Sequence, residues 1–119
     1  MSVTGSLVTA RKSGGFARVY EHNAVPEMPE YPYVVVGYSP QAPEVRGLIS
    51  GGTLVRWFTV QHFARTVDAL EDVTSATAAL FEGQPITGLS DMCDLLVASQ
   101  PYRDPDDNGV LTITHTYRF

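Results

Sequence analysis

From Val67 to Phe81, apolar or small side chains return every three or four positions, at Val67, Leu70, Val73, Thr77, Leu80 and Phe81. That is the spacing of one face of an α-helix. Thr66 precedes the run as an N-cap, and Asp68, Glu71 and Asp72 lie in the early turns, where the positive helix end favours carboxylates. Gly83 and Pro85 follow the last periodic residue as stop signals. One main helix is predicted over about residues 67–82.

Elsewhere the period falls towards two. Tyr33–Tyr38 is a β-branched run between Pro32 and Pro40 and reads as a strand buried on both faces. Leu54–Ala64 reads as a second long strand, with Phe58, Val60, His62 and Ala64 on one face and Trp57, Thr59, Gln61 and Phe63 on the other. Neither face is cleanly polar, which suits a central strand or one flanked by another subunit. Leu95–Arg103 and Val110–Phe119 flank the turn-forming run Asp104–Gly109 and predict a hairpin. A short extended piece is expected at Phe16–Glu21, followed by a connector that Pro26 and Pro29 keep irregular. The order predicts an α+β domain over residues 16–119: a mostly antiparallel mixed sheet of four to five strands with the one helix packed across it. Residues 1–15, rich in Gly, Ser and Thr, are expected to be a flexible or docking segment. The Pro40–Thr53 stretch is a loop long enough to suggest a function.

At 119 residues the chain fits a single domain, and its charged fraction of 18% is low enough to suggest that part of the surface is covered by a partner. A formal charge of −5 argues against a nucleic-acid-binding face, which needs clustered Lys and Arg; only Arg11 and Lys12 are adjacent. Cys93 is the single cysteine, so neither an internal disulfide nor a cysteine-based zinc site is available. There is no signal-peptide pattern and no apolar run of membrane-spanning length.

Asp104, Asp106, Asn108 and Gly109 match the opening of a calcium loop, but His115 stands where the bidentate glutamate belongs, so a hairpin turn is the better account. His22, His62 and His115 lack a short-spaced ligand pair; His62 and His115 are expected to be hydrogen-bonded sheet histidines. Cys93 lies between Asp91 and Asp94, whose charges would suppress a thiolate. The glycine-rich Gly47–Gly52 segment has no lysine and no following helix to bind phosphate. No cofactor, metal or catalytic residue is expected, and the chain is not read as an enzyme.

Three segments carry a family resemblance: Val25-Pro26 with Tyr31–Gly37, then Val55–Thr66 running into the helix with Ala69, Val73 and Leu80, then Tyr102–Asp106 leading to Thr114–Phe119. In this order and spacing, over roughly residues 17–119, the chain resembles the tail terminator (tail completion) proteins of long-tailed bacteriophages, particularly those infecting actinobacteria. The resemblance implies a virion protein, assembled in the host cytoplasm, that forms a ring, typically a hexamer, on the finished tail tube. Such a ring stops addition of tube protein and joins the tail to the capsid neck, while DNA passes through without specific binding. Its partners would be copies of itself, the tail tube protein and a neck connector. Relatives often carry a clear amphipathic helix before the first strand, whereas residues 1–15 show only a weak version around Leu7–Lys12.

The residues expected to meet neighbouring chains are Arg46, Leu48, Ile49, Trp57, Phe63, Arg103, Tyr117 and Phe119, with Asp104, Asp106 and Asp107 as an acidic loop towards the lumen. A head–tail joining protein is the alternative in the same class, and a small ligand-binding or enzyme-accessory domain is the alternative outside it. A deep pocket with converging polar groups would favour the latter.

Overall fold

The computed structural model describes residues 2–39, 56–86, 89, 92–99, 101–104 and 107–119. Among the described residues two helices, α1 (Val3–Lys12) and α2 (Val67–Phe81), pack against one mixed sheet. The sheet is built from β1 (Val19–Glu21), β2 (Tyr33–Ser39), β3 (Trp57–Ala64), β4 (Asp94–Ala98), β5 (Tyr102–Asp104) and β6 (Asp107–Arg118). Across the sheet the order is β1-β2-β3-β6-β4, and β5 shares the outer side of β6 with β4. Among the described strands only the β1–β2 pair is parallel. The expected α+β class is the one observed, with β3 central as its two half-apolar faces required.

Alternation decides which residues enter the core. Cross-strand partners share a face, so the registers Val34↔His62, Val36↔Val60 and Phe58↔Tyr117 place Val34, Val36, Phe58, Val60, His62 and Tyr117 together. Each of these is 2% exposed or less. Leu7 of α1 and Val73 and Phe81 of α2 join them from above. Phe58 sits at the centre: it stacks on Tyr117 at 5.2 Å and meets Phe81 and Phe119 edge-on at 5.1 and 5.5 Å. Fully burying one such side chain contributes about 1.5–3 kcal/mol before packing is counted.

Helix α2 is bounded as its sequence signals require. The Thr66 side chain accepts a hydrogen bond from the Ala69 N–H at 3.2 Å, and Gly83 follows the last turn with φ +67°, a conformation that L side chains rarely adopt. Its buried face is Leu70, Val73, Thr74, Thr77 and Phe81. Val67, expected on that stripe, is instead 58% exposed.

Three expectations change. Residues Val3–Lys12 form a helix, capped by the Ser2 hydroxyl on the Gly5 N–H at 2.9 Å, and Leu7 is fully buried. The first arm of the closing hairpin is broken into β4 and β5, with a register shift between Leu95 and Val97. The second arm begins at Asp107, which pairs with Asp104, so the turn is tighter than the Asp104–Gly109 run suggested. The Pro40–Thr53 loop, with Arg46, Leu48 and Ile49, lies outside the described residues.

Candidate assembly surfaces and a buried polar centre

Both described helices lie on one side of the sheet, so among the described residues no helix covers the other side. The expected contact residues Trp57 and Phe63 stand on this open face, since β3 alternates and its partners Phe58, Val60 and His62 point the other way. Phe63 stacks on Tyr33 at 4.8 Å, and Tyr33 meets Tyr31 at 5.2 Å and Tyr20 at 6.1 Å. The result is an aromatic strip that runs from β3 to the β1 end of the sheet. Arg65 caps it, its guanidinium 4.5 Å from the Tyr31 ring. Towards β6 the same face turns polar, with Thr114, Thr116 and Arg118.

At the far end of the sheet, β4 forms the outer strand, and the register shift at Leu95/Val97 carries its apolar side chains outwards. Met92, Leu96 and Val97 are 59%, 43% and 60% exposed. Exposed edges with apolar side chains template further pairing, which is why monomeric proteins usually cover or charge them. Among the described residues, only Asp94 charges this edge, held to Arg118 at 3.3 Å.

The remaining expected contacts separate. Tyr117 is fully buried in the core. It is therefore not a contact residue, because its ring is spent on Phe58 and Phe81. Phe119 is partly buried at the margin of the core, with the Arg56 guanidinium 4.5 Å above its ring and its N–H donating to the Arg56 carbonyl at 3.0 Å. Arg103 and Asp104 belong to β5 and Asp107 opens β6, so these three are strand positions; Asp106 lies outside the described residues. Met28, Met92, Leu96 and Val97 were not singled out in the sequence. Met28 stands beside Pro29 and the other three in ordinary apolar stretches, which do not distinguish a covered side chain from an exposed one.

Between the helices and the sheet lies a polar centre. Arg11 of α1 is 1% exposed; its Nε donates to the Thr77 hydroxyl at 2.8 Å and its Nη2 to the Val73 carbonyl at 3.2 Å. His62 is fully buried and lies 2.9 Å by Nδ1 from the Ile113 carbonyl and 2.7 Å by Nε2 from the Thr77 hydroxyl. A carbonyl only accepts, so Nδ1 carries the proton and Nε2 accepts from Thr77. The T-shaped neighbour of His62 is His115 at 4.9 Å, whose Nδ1 meets the Tyr117 hydroxyl at 2.9 Å. The two histidines are thus hydrogen-bonded sheet residues, as expected. Burial holds His62 down to about 3, helped by the positive Arg11, and burial also lowers His115. Among the described residues the acidic group felt here is Glu82, at His115, and the centre is a neutral imidazole pair beside a cation.

Other candidates for chemistry are equally accounted for. Cys93 is fully buried, and burial with Asp94 nearby pushes its thiol up to about 12, which suppresses the thiolate a nucleophile needs. Among the described residues no three His, Cys, Asp or Glu side chains cluster to hold a metal. A cleft of about 400 Å³ between α1 and the end of α2 is lined by Ser6, Thr9, Ser13, Leu80 and Pro85 among others, with no ionisable side chain. A second, of about 360 Å³, holds Glu21 and His22, both exposed to water. No described helix is long and apolar enough to cross a membrane.

No family model matches the chain, and no curated protein matches it either. Solved structures do. A chain of the virion of a native gene transfer agent particle is similar over 99% of this chain and 96% of its own length, with a TM-score of 0.58 at 14% identity. A second solved chain is similar over 96% of this one and 87% of its own, with a TM-score of 0.57 at 19% identity. At these identities what is shared is the fold, and it is shared over nearly the whole of each chain.

Proposed function

We propose that the chain is a structural virion protein: a tail terminator that forms a ring, a hexamer, on the end of the tail tube, stops tube growth and offers the surface that joins tail to neck. The observation that carries the reading is an α+β fold similar, from end to end, to a chain of a gene transfer agent virion particle. The sequence resemblance supports the finer assignment, and its one departure is repaired, since a helix does precede the first strand. The surfaces are of the right kind as well: an aromatic strip and an apolar edge strand suit a subunit that binds protein.

In this reading residues 16–119 act as a single terminator domain with α1 docked on it. Arg46, Leu48 and Ile49 of the Pro40–Thr53 loop, together with Trp57, Phe63, Arg103 and Phe119, meet neighbouring chains, tube or neck. Asp104, Asp106 and Asp107 lie towards the lumen, where negative charge keeps the DNA backbone from binding. The ring forms in the host cytoplasm and ends at the tail–neck junction. Light scattering of the purified protein should give six times the chain mass of 13.0 kDa, and electron microscopy a ring that caps tail tubes. Deleting the gene should give overlong or unjoined tails. Normal tails beside unjoined heads would instead favour the head–tail joining alternative, and a monomer that leaves tubes uncapped would refute the assignment.

A further inference from the structure

We infer that copies of this chain join head to tail through the two ends of their sheets, with β4 of one copy antiparallel to β1 of the next. The inference rests on the ring reading above and adds the surface that closes the ring.

Strand polarity supports it. β1 and β2 run together, β3 runs against them, β6 with them and β4 against them. When one sheet continues into the next in the same orientation, β4 therefore meets the following β1 in the antiparallel sense, the more favourable ladder. Facing also agrees. Val97 pairs with Thr116 and Tyr20 with Val35, so both side chains stand on the open face and would be neighbours across the join. On β1, the hydrogen bonds from Val34 N–H to the Arg18 carbonyl and from His22 N–H to the Val36 carbonyl turn alternate residues towards β2. The Val19 carbonyl and the Glu21 N–H point outwards, available to a partner strand.

The two ends differ in chemistry in a way that matches. The β4 end offers aliphatic side chains, Leu96 and Val97, with Met92 beside them. The β1 end offers the tilted rings of Tyr20 and Tyr31, and Met28, on the connector between β1 and β2, is 90% exposed. Aromatic and methionine side chains are enriched at interface cores, and Asp94 with Arg118 on one end and Glu21 on the other supply a polar rim. Because the patches are unlike and lie at opposite ends of the sheet, their contact is heterologous, the kind that closes rings. An isologous dimer of two β4 edges would leave the aromatic end uncovered.

The test uses two double variants of the full chain, each first shown to unfold cooperatively. Leu96→Glu with Val97→Glu disables the β4 end; Tyr20→Glu with Met28→Glu disables the β1 end. Each alone should raise the midpoint concentration of assembly at least about thirtyfold, as loss of an interface hot spot does. Mixed in equal amounts, they retain one good interface and should give a one-to-one dimer and no ring, read by light scattering or native mass spectrometry. The inference is overturned if the β4 variant still forms wild-type rings, if the mixture stays monomeric, or if the β1 variant dimerises with itself. In each of these cases a wild-type ring leaves the ring reading standing. A wild-type protein that never assembles removes that reading and this inference with it.

Discussion

Acidification should destabilise this protein well before its carboxylates titrate, through His62. The ring is fully buried, donates by Nδ1 to the Ile113 carbonyl and accepts at Nε2 from Thr77. Protonation does not break this geometry, because Thr77 can turn its hydroxyl proton to the Val73 carbonyl, 3.1 Å away, and accept from a charged His62. What it adds is a second buried cation beside Arg11 and close to His115; the acidic Glu82 is felt at His115 and not at His62. The folded protein thus holds His62 at about 3 against 6.5 in the unfolded chain, so the unfolded chain binds more protons. Stability from this group is fully present above pH 6.5 and is lost as pH falls from there towards 3. At about 1.4 kcal/mol per pH unit, the loss is about 3 kcal/mol by pH ~4.5, before most carboxylates protonate. His115, also lowered, adds to it in the same direction. Against a total stability of about 5–15 kcal/mol the effect is large. Urea unfolding followed by Trp57 fluorescence, at pH ~7.5 and ~4.5, measures it. His62→Asn should be less stable than wild type near neutral pH and much less sensitive to acid. An equal acid loss in variant and wild type, or a wild-type loss below about 1 kcal/mol, would refute the reasoning.

Other outcomes follow from the same contacts. Thr77→Val keeps the shape but strands Arg11 Nε and His62 Nε2 in the core, and at about 1–3 kcal/mol for each unpaired group it should cost about 2–6 kcal/mol in the same unfolding assay. Phe58→Ala opens a cavity beside the rings of Phe81, Tyr117 and Phe119 and should cost about 3–5 kcal/mol, enough to leave the purified protein partly unfolded by circular dichroism. Thr66→Ala removes the α2 cap and should cost about 1 kcal/mol, read as a small fall in Tm. The Cys93 thiol, buried and held protonated, should resist a thiol reagent near neutral pH in the native protein and react at once in urea. Fast native labelling would contradict its burial.

How far the sequence reaches depends on whether a feature is local. The α2 helix was legible from Thr66 to Gly83 because caps, charge at the first turn and a three-to-four spacing are all set by neighbours in the chain. β2 and β3 were legible because alternation and β-branching mark a strand without knowledge of its partner. α1 was not. Its helix is weakly amphipathic by composition, and what holds it is Leu7 in the core and Arg11 bonded to Thr77, 66 positions along the chain. Tyr117 and Phe119 illustrate the same divide. They alternate on one face of the last strand, yet one is core and the other is marginal, because α2 and Phe81 lie over only the first.

Sequence alone determined the α+β class and the absence of a cysteine framework, since periodicity and composition are local and countable, whereas the central position of β3 came from the sheet order. Only the tertiary structure decided that β4 is an outer strand with bare apolar side chains, and that the aromatic rings gather at the opposite end. An exposed valine and a buried one are written with the same letter. Which it is depends on what the fold lays beside it, and a strand pattern does not say which strand will lack a neighbour.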